Sequence, residues 1–108
     1  MSRVASLLLL VTPLLGGCDS FFTVQGHVTA CGSGAPIVGV SVRTTQRGGG
    51  ETQEAFTDSS GRYLAFLNEP PTAEATLVYE KPTFMSVERT FEGAPEGDED
   101  VCLQPAVK

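Results

Sequence analysis

Few residues of the chain could do chemistry: the three cysteines Cys18, Cys31 and Cys102, and the single histidine, His27. A structural zinc site needs four ligands at a recognised spacing, and His27 with two cysteines cannot supply them. His27 also lies in a predicted strand, with no nucleophile motif that would make it part of a catalytic triad. We therefore expect no metal site, no catalytic residues, no cofactor and no enzyme activity, and a His27 that is hydrogen-bonded or faces solvent.

Residues 1–17 have the pattern of a secretory signal: a basic start, an apolar stretch over 4–15 and two glycines directly before Cys18. The apolar stretch is shorter than the roughly 20 residues of a membrane-spanning helix. The motif Leu15-Gly16-Gly17-Cys18 resembles the bacterial lipobox. That resemblance implies cleavage before Cys18, a diacylglycerol on the Cys18 sulfur and usually an acylated amino group. The alternative is an ordinary signal that ends before an unrelated cysteine.

The predicted pairing of the other two cysteines depends on this assignment. A thioether at Cys18 would leave Cys31 and Cys102 as the remaining thiols, and exported proteins meet an oxidising compartment. An even remainder predicts one disulfide, Cys31 to Cys102. Closing a loop of about 70 residues would stabilise the domain by roughly 4 kcal/mol. The alternative is two free buried thiols.

Size and charge exclude several classes of protein. Removal of residues 1–17 would leave 91 residues with six basic and thirteen acidic side chains, a net charge of −7. A chain of this length supports one small core. Such a negative charge excludes a nucleic-acid partner, because the protein could not neutralise a row of phosphates. Five of the acids cluster at 92–100, where we expect a solvated hairpin, with a calcium loop as the alternative.

Apolar residues in the mature chain recur with a period of two, which is typical of strands. Clusters of glycine, proline, serine and aspartate separate the apolar runs. The pattern predicts seven strands, at 22–30, 36–45, 52–58, 62–67, 74–80, 84–91 and 100–104. Seven short strands predict an all-β fold in which two antiparallel sheets pack face to face as a β-sandwich.

Three motifs follow one another in the mature chain: Val24-x-Gly26-x-Val28, Gly34-x-Pro36-Ile37-x-Gly39-Val40-x-Val42 and Thr57-Asp58-x-x-Gly61-x-Tyr63. This succession resembles the carboxypeptidase regulatory-like domain, a transthyretin-type β-sandwich. The resemblance implies a domain over 23–105 after a lipidated tether at 18–22, and a binding or scaffolding role. The transthyretin-type hydroxyisourate hydrolases need several histidines and a Tyr-Arg-Gly-Ser ending, which this chain lacks.

The strand at 62–67 offers a candidate contact site. If Tyr63, Ala65 and Leu67 face the core, then Leu64 and Phe66 face outward. Two large apolar groups on one exposed strand face suggest a partner contact. The alternative is that the neighbouring loop containing Pro70-Pro71 covers them.

These features predict a non-catalytic lipoprotein of the bacterial cell envelope, anchored in a membrane through Cys18 and in contact with another envelope protein. A carbohydrate- or small-ligand-binding lipoprotein is the alternative, although the chain has no tryptophan and its core needs most of its aromatic rings. Alternating strand directions place loops 46–51, 68–73 and 92–99 at the anchored end. Loops 31–35, 59–61 and 81–83 are expected at the opposite end.

Overall fold

The computed structural model describes residues 20–106, which form seven β-strands and, over that range, no helix that could cross a membrane. The predicted signal at 1–17 and the predicted lipid site Cys18 lie outside the described residues. The strands are β1 (Phe22–Ala30), β2 (Ser41–Gln46), β3 (Thr52–Phe56), β4 (Arg62–Leu67), β5 (Glu74–Glu80), β6 (Val87–Glu92) and β7 (Val101–Leu103).

The strands form two sheets, a three-stranded sheet in the order β4-β1-β7 and a four-stranded sheet in the order β3-β2-β5-β6. The prediction of an all-β sandwich is confirmed, and the two sheets, which were predicted to be antiparallel, are mainly so. One pair differs in direction, because β7 runs parallel to β1, with Val28 opposite Val101. The chain reaches β7 by running alongside β1, where the Glu99 N–H donates to the Gln25 carbonyl at 2.8 Å. The chain therefore runs in the same direction in β7 as in β1.

The loops gather at two ends of the sandwich. Segment 68–73 lies where β1 begins, since the Phe22 N–H donates to the Glu69 carbonyl at 2.8 Å. Segment 46–51 lies at the same end, since the Asn68 N–H donates to the Glu51 carboxylate at 3.0 Å. Segment 92–99 differs from the expectation: it starts at this end, but Glu99 lies halfway along β1. The last acids of this segment therefore lie alongside β1 instead of in a terminal loop.

The core lies between the two sheets and is built from alternate strand residues. Tyr63, Ala65 and Leu67 are buried while Leu64 and Phe66 are exposed, as the period of two predicts. Burial of these apolar side chains supplies the main favourable contribution to folding. The buried apolar residues are Phe22, Val24, Val28, Ile37, Val40, Val42, Tyr63, Ala65, Leu67, Ala75, Leu77, Tyr79, Val101 and Leu103.

The prediction that β2 starts at 36 is wrong, because the strand begins at Ser41. Gly39 has a φ of 78°, which takes the chain out of the extended conformation, and Val38 is 55% exposed. Hydrogen bonds with the Thr57 side chain there take the place of the backbone hydrogen bonds of a sheet. Its hydroxyl donates to the Ile37 carbonyl at 2.6 Å and accepts from the Val40 N–H at 2.9 Å.

Three other strands also differ from their predicted bounds. β6 begins at Val87 and not at 84, because Thr83 has a φ of 75° and the Phe84 N–H donates to the Lys81 carbonyl at 3.0 Å, closing a turn. β3 and β7 are each two residues shorter than predicted. The ends of these strands are set by turns and by neighbouring segments, which the alternation of apolar residues does not encode.

Thr44 on β2 gives the first testable prediction. It is buried, and among residues 20–106 its Oγ1 is a buried polar atom without a hydrogen-bond partner. A buried hydroxyl that has lost its water costs about 1–3 kcal/mol when it is unpaired. We expect Thr44→Val to raise the free energy of unfolding by about 1 kcal/mol in urea denaturation.

Thr57→Val is the matched control, because it removes a buried hydroxyl that has two partners. It is expected to lower the free energy of unfolding by about 1–3 kcal/mol. A loss of stability in Thr44→Val would contradict the prediction and show that the Thr44 hydroxyl is satisfied.

Candidate functional site

The outer face of the three-stranded sheet carries most of the residues that the sequence singled out. Leu64 and Phe66 project from β4, His27 from β1 and Cys102 from β7, each at a position that alternates with buried residues. β1 lies between the other two strands, so it brings the apolar, histidine and cysteine side chains onto one surface.

An apolar patch occupies the part of this face nearest the start of β1. We define it as Phe21, Leu64 and Phe66, which are 43%, 56% and 39% exposed. The rings of Phe21 and Phe66 meet edge to face, with centroids 5.6 Å apart. The loop at Pro70-Pro71 therefore does not bury Leu64 and Phe66, and the alternative that it covers them is wrong.

The disulfide lies on the same face, towards the opposite end of β1. The structure confirms that Cys31 is bonded to Cys102, across a sequence separation of 71 residues. The Cys31 N–H also donates to the Leu103 carbonyl at 3.0 Å. The bond thus holds the end of β1 to β7, which is only three residues long.

The segment that precedes β7 is fixed against the middle of β1. The His27 N–H donates to Asp100 Oδ1 at 2.9 Å, and the Tyr63 hydroxyl donates to the Glu99 carbonyl at 2.7 Å. Gly26 lies directly beneath this segment, and a Cβ there would collide with the Glu99 carbonyl. The glycine of the first sequence motif is therefore needed for this close approach.

A pair of buried tyrosines connects this segment to the core. The hydroxyls of Tyr63 and Tyr79 are 2.8 Å apart, and their rings meet edge to face at 5.4 Å. Since the single hydroxyl proton of Tyr63 goes to the Glu99 carbonyl, Tyr79 donates to Tyr63. Burial raises the pKa of both hydroxyls above the usual tyrosine value.

The fixed segment places two carboxylates beside the histidine. A ligand nitrogen of His27 and carboxylate oxygens of Asp98 and Asp100 all lie within 4.8 Å of one another. As a metal ligand, His27 was expected to have only the cysteines as possible partners, so the sequence did not reveal this cluster. The one available signal was the alternation of Asp98 and Asp100, which places both side chains on one side of an extended segment.

A depression lies on the four-stranded sheet, between β2 and the turn before β6. Two contacts already join polar groups in it: Arg43 contacts the Glu80 carboxylate at 2.8 Å, and the Ser41 hydroxyl donates to Glu54 at 2.6 Å. A polar ligand that used Arg43 or Glu54 would have to displace these contacts.

The third sequence motif forms the turn before β4. The Asp58 carboxylate accepts the N–H of Ser60 at 2.9 Å and the N–H of Arg62 at 3.0 Å. These hydrogen bonds, the one from the Arg62 N–H foremost, hold the pKa of Asp58 below its usual value. The turn sets the start of β4, and with it the outward positions of Leu64 and Phe66.

Comparison with known proteins agrees with this architecture. None of the curated proteins searched matches the chain. The family model of the carboxypeptidase regulatory-like domain matches residues 23–104, which include all of β2 to β7 and nearly all of β1. The chain therefore belongs to the carboxypeptidase regulatory-like domain family.

Proposed function

We propose that this protein is a non-catalytic, lipid-anchored module of the bacterial cell envelope that binds another envelope protein through its apolar patch. The exposure of Leu64 and Phe66 beside Phe21 on one sheet face is the observation that carries the proposal. Carboxypeptidase regulatory-like domains are non-catalytic β-sandwiches that often mediate interactions, which supports binding as the role of this one.

The place of the patch agrees with an anchor at Cys18. Only two residues separate Cys18 from Phe21 in the sequence, and this length of chain spans at most about 10 Å. A lipid on Cys18 would hold Phe21 near the membrane surface, with Phe66 and then Leu64 further along the same sheet face. Two or three acyl chains, at about 0.8 kcal/mol per buried CH₂, give a stable anchor.

The chemistry of the patch defines the partner that fits it. An edge-to-face aromatic pair flanked by a leucine offers a small apolar centre of the kind that dominates binding energy in protein interfaces. The net negative charge of the mature chain favours a partner with basic side chains around an apolar contact. We therefore expect an envelope protein whose complementary surface lies close to the membrane.

Site-specific photocrosslinking in intact host cells tests this proposal. A photoreactive amino acid at Leu64 is expected to give a defined adduct with one envelope protein, and Phe66→Glu in the same chain is expected to abolish it. Met85 is the matched control position, because it is 54% exposed and its N–H donates to the Gln104 carbonyl at the other end of the sandwich. No adduct is expected from Met85.

The same cells test the anchor. Cys18→Ala is expected to move the protein out of the membrane fraction and to remove the adduct at Leu64. Equal adducts from Leu64 and Met85 would contradict the patch as the binding surface. A Cys18→Ala protein that stays in the membrane fraction would contradict the lipid anchor.

A further inference from the structure

His27, Asp98 and Asp100 come together from two distant parts of the chain. His27 projects outward from β1, and the two aspartates occupy alternate positions in the segment that leads into β7. Their ligand atoms lie within 4.8 Å of one another. Ligand atoms on a tetrahedral zinc ion are about 3.4 Å apart, given bonds of about 2.1 Å. Reaching that spacing requires rotation of the side chains, and the Asp100 carboxylate, which accepts the His27 N–H at 2.9 Å, is already held beside the histidine.

The backbone beneath the cluster is already fixed. Glu99, between the two aspartates, donates its N–H to the Gln25 carbonyl and accepts the Tyr63 hydroxyl. Gly26 leaves the space that this contact needs. A site whose backbone is in place before the ion arrives loses less conformational entropy on binding, because only side-chain rotations remain to be restricted.

The donor set selects the kind of ion. Calcium prefers six to eight oxygen ligands, which two aspartates and an imidazole do not supply. One imidazole and two carboxylates suit a divalent transition metal, with water in the remaining position. We propose that His27, Asp98 and Asp100 form a surface site for a divalent transition-metal ion, with Zn²⁺ as the probe.

The two carboxylates of the cluster favour a cation, and the arginines near them oppose it. Asp98 and Asp100 hold like charges close together, and a divalent ion between them would replace their repulsion with attraction. Two cationic side chains are near. Arg89 pairs with the Glu99 carboxylate at 3.7 Å, and Arg62 lies opposite His27 in the β1–β4 ladder. The charge of Arg89 is thus paired with Glu99, which is not one of the proposed ligands.

Calorimetric titration with Zn²⁺ tests the site. The full chain is purified without a polyhistidine tag, and any free thiol is blocked by alkylation so that Cys18 cannot compete for the metal. One ion per chain is expected to bind. Asp98→Asn and His27→Gln are each expected to weaken binding at least tenfold, because each removes one direct ligand. Glu96→Gln is the matched control, since it removes a neighbouring carboxylate outside the cluster, and its affinity should stay unchanged.

A second measurement keeps the test independent of how well the variants fold. The chain has one histidine, so the imidazole resonances in NMR spectra of the unsubstituted protein report His27 alone. Zn²⁺ is expected to shift them, and Ca²⁺ at the same concentration is not. Unmoved imidazole resonances, equal affinity in Asp98→Asn and Glu96→Gln, or displacement of Zn²⁺ by equimolar Ca²⁺ would each overturn the proposal.

Discussion

Replacing both Cys31 and Cys102 with alanine is expected to lower the free energy of unfolding by about 4 kcal/mol. The bond closes a loop with a sequence separation of 71 residues, and without it the unfolded chain regains the entropy of that loop. Domains have total stabilities of about 5–15 kcal/mol, so the loss is a large share of the margin. Guanidinium denaturation of the variant and of the unsubstituted protein measures the difference.

Reduction supplies the control for this experiment. Cys102 is exposed and Cys31 is partly exposed, so a mild reductant can reach the bond in the folded protein. The reductant is expected to destabilise the unsubstituted protein by a similar amount and to leave the alanine variant unchanged. If the free energies of unfolding of the oxidised protein and the alanine variant differ by less than about 1 kcal/mol, the ends of this loop stay close together in the unfolded chain even without the bond.

The stability of the protein is expected to fall steeply above about pH 10. Burial raises the pKa of Tyr63 and Tyr79 in the folded state, so both hydroxyls stay protonated there while the unfolded chain ionises. The unfolded state then binds fewer protons than the folded state, and the free energy of unfolding decreases as pH rises. Each tyrosine contributes a slope of up to about 1.4 kcal/mol per pH unit. Below pH 10 this contribution to stability is fully present.

Tyrosinate absorbance provides a direct measurement, because the chain has two tyrosines and no tryptophan. Both tyrosines are expected to ionise in one cooperative step that coincides with loss of β-sheet circular dichroism. Tyr79→Phe keeps the hydrogen bond from Tyr63 to the Glu99 carbonyl, and it should halve the slope of stability against pH. Two tyrosines that titrate near pH 10 while the sheet signal stays intact would contradict the prediction.

The strands with the strictest alternation could be predicted from the sequence. β1, β4 and β5 have the predicted bounds, because turn residues border them and, in β1 and β5, inward apolar residues alternate with mostly polar outward ones. β4 shows what alternation cannot determine. Leu64 and Phe66 are as apolar as the residues they alternate with, and their outward placement followed only from the assumption that Tyr63 faces the core.

Features that depend on non-local docking could not be predicted. The parallel direction of β7 follows from the path of residues 93–100, which come alongside β1 at Glu99, and nothing in the composition of these residues specifies that path. The cluster at His27 depends on the same path, since it joins residues more than 70 positions apart. Gly26 in the first motif reflects this contact, but a glycine in a strand does not indicate which segment approaches it.

The central place of β1 has a consequence for how the chain acquires its fold. Its two sheet neighbours come late: residue 62 begins β4, and residue 101 begins β7, the last strand of the domain. Such high contact order slows folding, because long loops must close, at a cost in entropy, before the strands can form their stabilising contacts. The first strand of the domain to leave the ribosome is therefore the last to be flanked on both sides, and the domain reaches its native state only after β7 has been synthesised.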